Sequence, residues 1–392
     1  MAERERAMNV NVTPADCRAA VETGIDILAA ERFARLRGKR IGLVTNHTGL
    51  DCAGRATADL LHDAPGLALA ALFGPEHGIR GEHDELIGDS RDPRTGLPVY
   101  SLYGSRQKPS AEQLAGLDTL VFDIQDIGCR FYTYISTLGN VMEAAQDFGI
   151  DVVVLDRPNP IRGDMIEGPL PDTGSLSFTA FHSIPVRHGM TIGELATMFA
   201  AERFPDVSLS VVPCRGWDRA MWFDATGLTW TNPSPNMRSL TQATLYPGAG
   251  LLEMTNLSVG RGTDTPFELI GAPGIDPQPL AAALRALGTP GVAAIPTYFT
   301  PRASKFERQR CGGLQLLVTD RAQFRPVRFG LALAIALLQH YGGWETDRLN
   351  ALLANEQVAN AILDRADAAE PDERFAAAEQ EFELRRRPYL LY

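Results

Sequence analysis

Short, wholly apolar runs recur along the first half of the chain, and each stops abruptly at a polar cluster. Arg40-Ile-Gly-Leu-Val-Thr45 closes on Asn46-His-Thr-Gly49, and Ala68-Leu-Ala-Ala-Leu-Phe73 closes on Gly74-Pro-Glu-His-Gly78. Asp118-Thr-Leu-Val-Phe-Asp123 and Asp151-Val-Val-Val-Leu-Asp156 repeat the pattern. Between them the apolar positions switch to helical spacing, most clearly from Thr137 to Phe148, where Leu138, Val141, Met142 and Ala145 share a face. Continuous apolar strands alternating with helices predict an α/β fold, a doubly wound parallel sheet covered on both faces. Ser208-Leu-Ser-Val-Val212 extends that sheet. Around Thr231-Asn-Pro-Ser-Pro-Asn-Met237 the pattern breaks into proline-rich loop. A second region of mixed α and β character follows, with a strand at Gly313–Thr319, a helix from about Pro326 to Tyr341, and further helices from Asp347 to Arg387. The reading therefore divides the chain into a lead-in over 1–22, helical from about Pro14, a doubly wound domain over 23–240, and a smaller α+β domain over 241–392.

Composition narrows the class. With 392 residues, 45% apolar and 22% charged, the chain has the make-up of a globular enzyme of about two domains. A net charge of −11 disfavours a nucleic-acid partner, which needs a concentrated basic face. The short run Arg385-Arg-Arg387 does not change that and is expected to cap the carbonyl end of the last helix. Five scattered cysteines, Cys17, Cys52, Cys129, Cys214 and Cys311, suggest a reducing compartment and no disulfide framework. The charged start Met1–Asn9 lacks a signal-peptide core, and the apolar run Leu331–Leu338 is too short to span a membrane. The expected location is cytoplasmic.

Parallel strands would bring all four polar clusters to one rim of the sheet, where α/β proteins bind ligands. That rim collects Asn46, Glu76, His77, Asp123, Gln125, Asp126, Arg130, Tyr132, Tyr134, Arg157 and Asn159. Carboxylates, amides, arginines and tyrosines together suit a polar, weakly anionic small molecule such as a sugar. A carboxylic acid can protonate a glycosidic oxygen, and an arginine fork binds a carboxylate with two hydrogen bonds. Glu76 is the leading acid/base candidate, because Gly74, Pro75 and Gly78 restrict its turn to one shape. The competing readings are structural: Glu76 caps a helix, and Arg130 and Arg157 pair with Asp126 or Asp156.

Other chemistries find less support. The first strand turn, Thr45-Asn-His-Thr-Gly49, is not a dinucleotide fingerprint, and no Walker or Gly-x-Ser-x-Gly pattern occurs. No cofactor is expected. A metal could be drawn from His77, Glu82, His83, Asp84 and Asp89, but the two histidines lack helical ligand spacing. In the second domain Glu253, Asn256, Arg261 and Glu268 are the candidate contacts, with Arg261 presented between Gly260 and Gly262. Pro296–Pro301 and Ser304–Phe306 are candidates for the same cleft.

Longer motifs carry a resemblance. Phe73-Gly-Pro-Glu-His-Gly-Ile-Arg80, Phe122-Asp-Ile-Gln-Asp-Ile-Gly-Cys-Arg-Phe-Tyr-Thr-Tyr134, Leu155-Asp-Arg-Pro-Asn-Pro160, Pro185-Val-Arg-His-Gly-Met-Thr191, Ser234-Pro-Asn-Met237, Gly260-Arg-Gly262 and Arg387-Pro-Tyr-Leu-Leu-Tyr392 resemble the exo-acting β-N-acetylmuramidase family over nearly the whole chain from Gly24. The resemblance implies a Rossmann-like N-terminal domain without nucleotide, a smaller C-terminal domain, and an active site between them. It further implies release of terminal N-acetylmuramic acid from the non-reducing end of peptidoglycan fragments. Glu76 carries over as acid/base, and the other matching polar positions, His188 and Asn236 among them, as ligand contacts. Asp123, then Asp126, are the candidates for a second carboxylate, unless the substrate's acetamido group is itself the nucleophile. Arg130, Arg157 or Arg261 would read the lactyl carboxylate. The alternatives carried forward are a non-catalytic muropeptide-binding protein and a metal-dependent hydrolase.

Overall fold

The computed structural model describes residues 19–76, 78–79, 89–104, 106–364 and 369–392, with 369–374 as backbone only. Seven strands form the main sheet: β1 (Arg40–Thr45), β2 (Ala68–Gly74), β3 (Ser90–Arg91), β4 (Pro98–Ser101), β5 (Thr119–Asp123), β6 (Asp151–Leu155) and β7 (Leu209–Val212). Their spatial order is β3-β4-β2-β1-β5-β6-β7, parallel except for the short edge pair β3–β4. The sheet reverses direction of growth beside β1, so the ends of β1, β2 and β5 meet where a crevice forms.

Side-chain alternation explains why these strands read as continuous apolar runs. Val44, Phe73, Leu120, Phe122, Val152 and Val154 pack on one face with the helices Tyr134–Phe148 and Ile192–Glu202. Ile41, Leu43, Leu72, Val121, Val153 and Leu155 pack on the other with Gly24–Ala30 and Thr57–Asp63. Both faces are buried, so neither parity of position can be polar. The edge strands β3 and β4, interrupted by Asp92 to Leu97 and too short for a periodic signal, escape the sequence reading.

The second region holds an antiparallel sheet of β8 (Leu269–Ala272), β9 (Val292–Phe299) and β10 (Cys311–Val318) in the order β8-β10-β9. The helices Leu240–Ala249, Pro277–Ala286 and Pro326–His340 cover it. Its core is continuous with Ile127, Cys129, Phe131, Ile161 and Val186 from the strand-end loops of the first sheet, which fastens the two regions together at the rim. The C-terminus then returns to the first sheet. Arg385 pairs with Glu202, Arg386 donates to the carbonyls of Gly163 and Gly189, and the Tyr392 hydroxyl donates to Asp156 at 2.6 Å. Arg385 and Arg386 are thus tertiary ties, not the helix caps expected of them.

The helical stretch expected from Pro14, and Cys17, lie outside the described residues. Cys52 is disulfide-bonded, which corrects the expectation for the cysteines, whereas Cys129, Cys214 and Cys311 are free and buried. Among the described residues no helix is long and apolar enough to cross a membrane.

Candidate functional site

The sheet order places β2, β1, β5 and β6 side by side, so the four polar clusters do share one rim. What each cluster does there differs. Glu76 stands half-buried just past β2, on a turn closed by a Gly78 N–H to Pro75 carbonyl bond at 3.2 Å. Gly78 takes φ +70°, a left-handed backbone that glycine adopts without cost. The Glu76 charge acts on Tyr132, Tyr134 and Arg261, so the acid stands in the neighbourhood of the aromatic start of one helix and of an arginine of the second region. His77, Glu82, His83 and Asp84 lie outside the described residues. Asp89 is paired with Arg106 at 3.1 Å, and no group of metal-ligating side chains occurs among the described residues.

Asp123 cannot serve as the second catalytic carboxylate. It is wholly buried at the end of β5, and Arg157 grips it with Nε–Oδ1 and Nη2–Oδ2 contacts of 2.5 and 2.9 Å. Thr57 donates to the same Oδ2, and Arg157 Nη2 also donates to the Leu50 carbonyl. This interior ion pair, with both carboxylate oxygens of Asp123 occupied, holds strands β5 and β6 in register with the first loop and leaves Asp123 no free oxygen for attack. Arg157 also lines a separate cavity of about 230 Å³ with Gln125. Arg130 is corrected for a similar reason. Only 1% exposed, it donates to four main-chain carbonyls, of Pro169, Ile184, Leu352 and Leu353, and so bolts the β5 loop to the C-terminal region. Burial pushes its guanidinium down to about 10.

Several other expected contacts are equally occupied. Gln125 donates to the carbonyls of Asp126 and Pro158. Asn159 donates to Met190 and accepts from Ile161 N–H. Asn256 bridges Gly343 and Glu345, and Glu268 accepts from Gln242. These residues shape the loops around the rim. Asn236 sits half-buried in the loop that also presents Ser234.

A smaller set remains open. Asp126 accepts the Gly128 N–H through Oδ2 at 2.7 Å, with the buried His188 Nε2 at 3.3 Å from the same oxygen. His188 Nδ1 accepts from Met190 N–H, which puts the ring proton on Nε2, toward Asp126. Oδ1 of Asp126, Nδ2 of Asn46 and the Tyr132 hydroxyl are buried without a well-formed hydrogen bond among the described residues. Buried polar atoms in this state cost free energy unless something pairs with them. Asn46 is fixed by Thr48 through its Oδ1, and the Tyr134 hydroxyl donates to Pro233 at 2.5 Å. Tyr132 stacks edge-on between Tyr134 and Tyr246 at 5.0 and 5.9 Å, and burial raises its hydroxyl well above the phenol range, with Ser234 alongside. Tyr132 is therefore a neutral donor. Ser234 and Tyr246 stand in motifs that carry the family resemblance, but the sequence singles out neither as a site residue, because a serine in a proline-rich loop and a tyrosine ahead of an in-helix Pro247 look structural.

Across from this group, Arg261 meets Glu253 through its Nε. Burial works against the arginine's charge, and Glu253, together with Tyr246 and Glu76, more than offsets it, so the guanidinium is held above its ordinary value. Both line a cleft of about 590 Å³ that continues to Asn256, Lys305, Glu345 and Arg348.

The geometry has close relatives. Residues 41–241 match the family model described as exo-beta-N-acetylmuramidase NamZ, N-terminal, and residues 244–392 match its C-terminal counterpart. The chain is 43% identical over 378 residues to peptidoglycan beta-N-acetylmuramidase NamZ of Bacillus subtilis (strain 168), spanning 95% of this chain and 91% of that protein. Two crystal structures of DUF1343 family proteins from Bacteroides fragilis NCTC 9343 share the fold. One has a TM-score of 0.88 at 36% identity, covering 96% of this chain and 100% of that one. The other has a TM-score of 0.76 at 29% identity, covering 95% and 99%.

Proposed function

The chain belongs to the exo-β-N-acetylmuramidase NamZ family and is an exo-β-N-acetylmuramidase, a glycoside hydrolase, and from that premise we propose that Glu76 is the proton donor that releases terminal N-acetylmuramic acid from peptidoglycan fragments. One observation carries the assignment. Glu76 is a half-buried carboxyl at the carboxyl end of a parallel strand, and its charge reaches tyrosines of one region and an arginine of the other. Arg261 in turn lines the cleft of about 590 Å³ in the second region.

In this reading Glu76 gives its proton to the glycosidic oxygen as the bond to the anomeric carbon breaks. The carboxylate left behind then takes a proton from the water that completes hydrolysis. With Asp123 saturated by Arg157, the second role passes to Asp126, whose Oδ1 is unpaired. Asp126 would accept the N–H of the substrate's acetamido group, which turns the acetamido oxygen toward the anomeric carbon. Tyr132, kept neutral, donates to a sugar oxygen.

Incubation with a chromogenic β-N-acetylmuramide, beside the matching glucosaminide, tests the reading. Glu76→Gln keeps the shape of the side chain and removes the acid. It is expected to fold normally and lose about 100- to 10,000-fold in turnover. Near-normal hydrolysis by that variant would sink the assignment.

A further inference from the structure

The substrate proposed above differs from an N-acetylglucosaminide by one group, the lactyl ether with its carboxylate. Of the arginines on the rim, Arg130 is spent on main-chain carbonyls, and Arg157 is tied to Asp123 and the Leu50 carbonyl and lines a separate cavity of about 230 Å³. Arg261 is different. It is 36% exposed at the side chain and touches Glu253 through Nε. No hydrogen bond from its terminal Nη groups forms to any described residue. Two features hold it. Phe267 lies under the guanidinium at 5.5 Å, and Gly260 and Gly262, at φ +81° and +80°, let the backbone turn tightly on either side.

The β9–β10 connection braces this turn. Arg302 N–H donates to the Gly262 carbonyl at 2.8 Å, and Lys305 Nζ donates to the carbonyls of Glu253 and Thr255. Ser304, Phe306 and Arg308 all take positive φ, of +68°, +59° and +59°. Three non-glycine residues in left-handed conformations within five positions are costly, and such strain persists where surrounding contacts over-determine it. The strained loop delivers Lys305 beside Arg261 at the wall of the 590 Å³ cleft.

We infer that the Arg261 fork, steadied by Glu253, is the carboxylate-reading subsite of this cleft, and that the β9–β10 loop with Lys305 positions it. The inference rests on the muramidase reading only for the identity of the anion. Glu253 tethers the arginine through Nε, which leaves the two Nη groups in the geometry that takes a carboxylate with paired hydrogen bonds. The positive charges of Arg261 and Lys305 favour an anionic sugar. Glu253 repels it when Arg261 is absent, so one pair both selects and rejects.

The test separates binding from turnover. Calorimetry on Glu76→Gln compares N-acetylmuramate with N-acetylglucosamine, and then repeats the comparison in Glu76→Gln carrying Arg261→Met or Arg261→Lys. The expected result is a preference for the muramate that falls about 10- to 100-fold with Arg261→Met and returns in part with Arg261→Lys. In the otherwise native enzyme, Arg261→Met should raise KM for the muramide more than it lowers kcat. A muramate preference that survives Arg261→Met in a folded variant overturns the proposal. If the muramidase reading itself were wrong, the unmodified enzyme would release no sugar while the Arg261-dependent difference in binding persisted.

Discussion

At the scale of single residues, position on the rim and availability for chemistry prove to be separate properties. Asp123 and Glu76 both follow parallel strands, yet one is locked and the other open. The difference lies in what stands opposite. Arg157 projects from the neighbouring β6 end and finds Asp123 at 2.5 Å, while β2 has no such arginine beside it in the described residues. A strong prediction follows for Asp123→Ala, which leaves the Arg157 guanidinium buried and uncompensated. It should cost about 3–5 kcal/mol of stability, read as a lowered denaturant midpoint. A variant with native stability would contradict the structural assignment and restore Asp123 as a catalytic candidate.

At the scale of elements, the site depends on connections with special backbone geometry. The strands that end at the rim are regular, and their boundaries follow from runs of apolar residues. The β9–β10 loop and the turn at Arg261 obey no periodicity, and their importance shows only in how they meet. A Cβ on Gly262 would lie 2.1 Å from the Ala303 carbonyl oxygen, at a φ that already disfavours a side chain. Gly262→Ala is therefore expected to push the β9–β10 loop away from the cleft. Stability should fall by about 1–2 kcal/mol from the backbone alone, and KM should rise while kcat changes less. An unchanged KM would show that the loop does not set the cleft's shape.

At the scale of the whole molecule, the two regions are pinned by buried polar contacts that no local pattern announces. Glu167 is one such pin: Oε1 accepts the Arg328 N–H at 2.8 Å at the start of a C-terminal-region helix, and its own main chain pairs with Arg187. Burial raises its carboxyl to about 7, against the partial counter-pull of the Arg328 bond and of Arg187 and Arg325, with Glu379 adding to the rise. The folded state thus holds this proton more tightly than the unfolded chain. The resulting stabilisation is fully present below the unfolded value of 4.5 and is lost as pH rises through about 7. Denaturation followed from pH 5 to 8 should show a decline of up to about 3 kcal/mol from this group, flattened in Glu167→Gln. A slope identical in that variant would assign the effect elsewhere.

Sequence alone determined the parallel sheet, its rim, and the turn on that rim which carries Glu76. Each is a local matter: apolar runs with both parities buried demand a covered sheet, and the glycine–proline turn after β2 shapes itself. Tertiary structure decided which polar residues remain for chemistry. Asn159, Gln125, Arg130 and Arg157 look like ligand contacts in the chain and become internal ties in the fold, because their partners come from residues tens to hundreds of positions away. A buried polar group must be paired, and only the folded chain shows whether the protein supplies the partner or leaves the place to a substrate.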